Sequence, residues 1–195
     1  MKKLNFFQKI ELIISNPHKF FDKIQDNKNI FDVFKFYFTF IFVSIVINTL
    51  FRLPELTKSN LNITISKYFL FILILVAFIL ILSLLTAVFS FVLYWFCHIL
   101  IKIFKGKEKY SETYKLLYAA TPLLIVSLIP YHGVFKVLFY PLFIIAVLDT
   151  FYLEFIGLKK LQKLNKENAI TVIVIGTIIA ILLVMYFVKI GLIIP

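Results

Sequence analysis

Between Lys67 and Lys102 the chain runs for 34 residues without a charged side chain. No Gly, Pro or Asn interrupts that stretch to turn it. A helix that is hydrophobic all round must be buried, either in a large protein core or in lipid. A chain of 195 residues cannot supply such a core. Composition points the same way, with 62% of residues hydrophobic and 16% charged. Soluble domains average about 45–50% and about 25%. A soluble fold is excluded, and so is disorder, which needs low hydrophobicity. The expectation is an all-α membrane protein.

At 1.5 Å per residue the uncharged window makes about 50 Å of helix, more than the roughly 30 Å hydrocarbon core. We read it as one overlong, tilted span over about 68–101. Its excess projects on the Lys102 side, where Tyr94 and Trp95 mark an interfacial belt. Phe36–Phe51 is a shorter window whose flanking Lys35 and Arg52 can snorkel, giving a span over about 32–53. Leu116–Ile129 is short and holds Pro122, and Pro130–Gly133 reads as a turn. Spans over about 114–130 and 135–156 then form a hairpin that either crosses or re-enters. Ala169–Val188 is uncharged and gives a span over about 169–189. The expected architecture is five transmembrane helices preceded by an amphipathic interfacial helix. Residues 1–29 are the cytoplasmic amphipathic segment, and 30–195 the transmembrane domain.

The amino-terminal stretch begins with positive charge, but Gln8, Lys9 and Glu11 interrupt its apolar run, so no cleaved signal is expected. At helical spacing Phe6, Phe7, Ile10, Ile13 and Ile14 share one arc, while Asn5, Gln8 and Lys9 fall elsewhere. That pattern suits a helix lying in the interface or packing on the spans. Asn16 can cap a second helix with Pro17 at its first position. Phe20, Phe21 and Ile24 share one side of it. Membrane-interface contacts are expected at Phe6, Phe7, Phe20, Phe21 and Trp95.

The net charge of +11 would suggest nucleic acid in a soluble protein. Sorted by loop, it becomes an orientation instead. Residues 1–35 carry seven lysines, 102–115 carry five and 159–166 carry four, so 16 fall on one side. Arg52, Lys58, Lys67, Lys136 and Lys189 make five on the other. The positive-inside rule puts the amino terminus in the cytoplasm and the carboxyl terminus outside, with the cell membrane as the expected location. Lipid is the expected partner, together with another membrane or cytoplasmic protein. No nucleic acid is expected, and oligomeric state is open.

Little of the sequence carries chemistry. His18, His98 and His132 divide between two sides in this topology, and no metal-site spacing occurs. Cys97 and His98 are adjacent and point about 100° apart on a helix. There is no phosphate-binding glycine loop and no GxSxG. We expect no catalytic residues, no metal, no cofactor and no enzymatic activity. Asp149 and Pro122 are the candidate functional intramembrane residues. Asp149 stands 13 residues past Lys136, about 20 Å along its helix, where an ionisable group faces protein or a water-filled cavity. It is either a transport-path acid or an acid satisfied near the interface.

Three segments carry a resemblance: NPHKFFDKI at Asn16–Ile24, GKEKYSETYKLLYAATPLLI at Gly106–Ile125, and EFIGLKKLQKLNKENAITVIV at Glu154–Val174. In this order the chain resembles the Yip family of Ypt/Rab-interacting membrane proteins, in its prokaryotic form. The matching positions are Asn16, Pro17, Phe20, Phe21, Tyr118, Thr121, Pro122, Gly157 and Leu158. The resemblance implies a polytopic protein with a cytoplasmic amino terminus and no catalytic residues. Eukaryotic members bind prenylated Rab-type GTPases. Their long acidic, Tyr-Gly-Pro-bearing amino-terminal region is absent here, so a Rab-like partner is not carried over. The expected function is a non-enzymatic membrane-organising or adaptor role. The alternative is a small transporter or channel using Asp149 in the hairpin of spans three and four.

Overall fold

A computed structural model describes residues 4–25, 29–57, 65–131 and 133–189. His132, in the expected Pro130–Gly133 turn, lies outside them. The described chain is helical. Two short helices, α1 (Phe6–Ser15) and α2 (Pro17–Gln25), precede the long α3 (Ile30–Thr57) and α4 (Ile65–Ile103). Then come α5 (Tyr110–Tyr114), a 3-10 stretch over Lys115–Ala120, and α6 (Thr121–Val126). A 3-10 turn at Gly133–Phe135 leads into α7 (Lys136–Leu161), and α8 (Lys166–Lys189) closes the order.

Among the described residues, three helical stretches are long and apolar enough to cross a bilayer: Ile30–Phe51, Leu73–Ile103 and Lys136–Leu161. The uncharged window forms a single 39-residue helix, α4, as expected for a run without turn residues. It packs chiefly on α3. Its buried stripe is Ile79, Ser83, Ala87 and Ser90, while Leu85, Phe89, Trp95 and Phe96 point outward. The spacing of four, four and three residues keeps that stripe on one face.

The segment expected over about 114–130 as a crossing or re-entrant span is not one α-helix. It passes from α5 through a 3-10 stretch into α6 and ends at Val126. Thr113 through Ala119 are seven consecutive buried residues, so this stretch is surrounded rather than amphipathic. Pro122 lies at the start of α6, where its missing N–H costs little.

This broken segment nevertheless runs the length of α3. Tyr118 packs on Phe36, ring centroids 5.0 Å apart. Further on, Ser44 donates a 2.7 Å hydrogen bond to the Ser127 carbonyl, which also accepts from Asn48. At the far end Phe135 meets Phe51 edge-on. Helix α7 then returns antiparallel, bringing Gly157 beside Leu116 and Phe21.

Candidate functional site

At one end of the long helices the three lysine-bearing segments of the sequence meet. Lys160 pairs with Asp22 at 2.8 Å, and Lys163 pairs with Glu108. Lys115, almost wholly buried, bonds both Glu112 (2.6 Å) and the Gln25 carbonyl (2.9 Å). Gln25 in turn donates to the Lys160 carbonyl. Residues 1–35, 102–115 and 159–166 are therefore bonded directly to one another. This joining explains how so many lysines share one end: several are paired, and the exposed ones point outward.

The amino-terminal helices are docked here by specific contacts. Asn5 and Gln8 form a reciprocal capping box that starts α1. Asn16 accepts from the Lys19 amide and starts α2, with Pro17 its first residue. Phe6 packs on Phe36 and Phe40, at 5.1 and 5.2 Å. Lys9 lies inward, with Nζ 2.6 Å from Asp32 and over the rings of Tyr118 (5.5 Å) and Phe36 (5.9 Å). Sequence spacing placed Lys9 on the polar side. The structure rolls α1 toward Lys9, which stands three residues after Phe6 and four before Ile13. The apolar arc is thereby split. Ile13 is buried, whereas Phe7 and Ile14 remain 78% and 62% exposed. Seven residues separate Phe7 from Ile14, so both project the same way.

The expectation for Phe20 and Phe21 as membrane contacts is corrected. Both are fully buried. Phe20 meets Tyr118 edge-on at 5.1 Å. A Cβ built on Gly157 would lie 3.2 Å from the Phe21 ring and 2.6 Å from Leu116 Cδ2. The Phe21 ring thus fills space that a glycine opens on α7. Trp95 is half exposed on the outside of α4. Thr121, fully buried, donates to the Tyr118 carbonyl at 2.6 Å, and Leu158 is buried nearby in the same core. Six of the nine positions that carry the family resemblance therefore converge: Phe20, Phe21, Tyr118, Thr121, Gly157 and Leu158 pack where α2, the 3-10 stretch and α7 meet.

A second polar node ties α4 to the end of α7. Gln162, fully buried, donates to Thr113 Oγ1 at 2.9 Å. His98 Nδ1 lies 2.7 Å from the same hydroxyl, and its ring meets Tyr110 edge-on. Tyr110 donates to the Phe91 carbonyl at 2.8 Å. Lys9, Asp32, Thr113, Lys115 and Gln162 went unremarked as a site in the sequence because each partner is distant along the chain. The one local clue was the place of Lys9 within the Phe6–Ile13 stripe.

Asp149 and Pro122 line one groove of about 480 Å³ between the α1–α2 turn, α6 and α7. Asp149 is exposed on the outer side of α7, whereas Ala146, Thr150 and Leu153 are buried. It thus lies outside the packed interior of the bundle, where a transport path was one expectation. Its groove neighbours include Ile13, Ile14 and Pro17, which puts it at the level of the α1–α2 turn.

Comparison with curated proteins and with solved structures gives no match in either set. The Yip1 domain covers residues 10–188, and the chain belongs to the Yip1 domain family as a multi-span membrane protein.

Proposed function

We propose that this Yip1-domain protein, of the prokaryotic branch, is a non-enzymatic membrane organiser or adaptor. It sits in the cell membrane with its lysine-rich end in the cytoplasm. One observation carries this reading: α1 is clamped to the bundle by Lys9 and Phe6 yet leaves Phe7 and Ile14 exposed on one face, two turns apart. A rigidly held helix that offers two large apolar side chains suits insertion at the headgroup boundary. The exposed lysines around it attract anionic lipid or an acidic cytoplasmic partner.

The same reading takes residues 30–195 as a five-pass domain, with 1–29 on the cytoplasmic side and the carboxyl terminus outside. Its support is the count of 16 basic residues against five, together with the bonding of the three basic segments at one end. Family membership supports the absence of catalytic chemistry.

The test replaces Phe7 and Ile14 together by Ser in protein reconstituted into liposomes. The variant should keep wild-type helicity and lose the change in vesicle size that the wild type produces. Equal vesicle size distributions for the two proteins would overturn the proposal.

A further inference from the structure

We propose that the groove between the α1–α2 turn, α6 and α7 holds one phospholipid whose headgroup carries a primary ammonium. The ammonium sits on the Asp149 carboxylate, and an acyl chain lies along Ile125, Leu142 and Ile145. Three observations lead there.

The first is the order of residues along the groove. The broken segment runs beside α3 from Phe36, opposite Tyr118, to Ser44, opposite Ser127. Pro122 is therefore near the α1 end and Ile125 is deeper. Helix α7 runs the other way, so Asp149 and Tyr152 are near the α1 end while Ile145 and Leu142 are deeper. The groove is polar at its shallow end and apolar along its depth, which is the layout of a lipid in one leaflet.

The second is the state of Asp149. Asp22, Asp32, Glu108 and Glu112 each have a lysine partner. Asp149 has no hydrogen bond or ion pair with any described residue, and no lysine or arginine lines the groove. Acyl chains alone cannot satisfy a carboxylate. A primary ammonium brings three donors and a positive charge, whereas a quaternary choline head brings no N–H donor.

The third is size. A volume of about 480 Å³ takes a headgroup and part of one acyl chain, with the rest of the lipid in the bilayer. A partner helix about 10 Å across would overfill it. The surrounding walls are almost wholly apolar, which disfavours a small water-soluble amine.

The experiment reconstitutes the full chain with equimolar ethanolamine-, choline- and glycerol-headed phospholipids of matched chains. Lipids retained after mild detergent extraction are counted by native mass spectrometry. The wild type should retain one ethanolamine lipid per chain, favoured roughly tenfold over the choline lipid, as expected for a charge-assisted hydrogen bond. Asp149→Asn should bring that preference close to parity. Ile145→Trp, which blocks the apolar half from an exposed position, should lower retention of all three lipids. Circular dichroism of each variant controls for folding. Equal retention in the wild type, an unchanged preference in Asp149→Asn, or a second protein copy held in place of lipid would each overturn the proposal.

Discussion

Lys9 Nζ stands 2.6 Å from the Asp32 carboxylate, and the two side chains keep only 7% and 12% of their surface exposed. This pair joins α1 to the first turn of α3. Its value lies less in attraction than in the cost of breaking it, because a withdrawn charge loses its ion partner. Lys9→Ala should therefore release α1 by roughly 3 kcal/mol. Replacing both partners, as Lys9→Met with Asp32→Leu, should recover most of that loss. Amide exchange of residues 6–15 in detergent micelles measures both effects. Equal protection in Lys9→Ala and wild type would count against the clamp.

Gly157 permits α7 to approach the 3-10 stretch. The Cβ of Gly157→Ala would meet Leu116 Cδ2 at 2.6 Å and the Phe21 ring at 3.2 Å. The Leu116 end can shift, so overpacking should cost on the order of 1–3 kcal/mol rather than abolish folding. A Leu116→Ala background should absorb part of the cost. Thermal unfolding of the two single variants and the double variant checks the coupling.

Thr113 serves both Gln162 and His98 through one buried hydroxyl. Thr113→Val keeps the shape and removes that shared partner. The expected loss is roughly 1–3 kcal/mol, the usual consequence of leaving a buried polar group unsatisfied. Thr113→Ser should stay close to wild type. Chemical unfolding of the two variants separates a polar effect from a packing one.

Acid should loosen the loop after α4. The hydrogen bond from Lys163 holds the Glu108 carboxyl below the ordinary carboxylate range. Slight burial opposes this, and the charges of Lys163, Lys102 and Lys115 reinforce it. A carboxyl lowered on folding stabilises above its unfolded value, about 4.3. That contribution fades as pH falls through the folded value. Protection of the amides at residues 104–109, taken against their intrinsic exchange rates, should fall below about pH 4, and Glu108→Gln should already show the lower protection at neutral pH. An identical pH profile in the variant would contradict the assignment.

Spans were legible in the sequence where apolar windows are long and unbroken. The α4 window, which has no turn residue, forms one helix for that local reason. The stretch over 114–130 was less legible, since Thr113 through Ala119 are seven consecutive buried residues. Enclosure on every side leaves no helical period in the sequence to read. Phe20 and Phe21 looked like bilayer contacts, because an aromatic pair on a short helix reads alike whether protein or lipid covers it. Gly157 on the distant α7 decides between the two by making room for Phe21.

The sequence by itself determined that the chain is an all-α membrane protein, where its longest apolar helices lie and which segments carry the lysines. These are properties of local composition, and burial of apolar surface is proportional to area regardless of partner. Only the tertiary structure decided which way α1 rolls, that Lys9 turns inward while Phe7 and Ile14 stay out, and that Pro122 and Asp149 share a groove. Those outcomes depend on contacts between segments far apart in the chain. A helical wheel gives the faces of a helix, and the neighbour that packs against it selects the face that is buried.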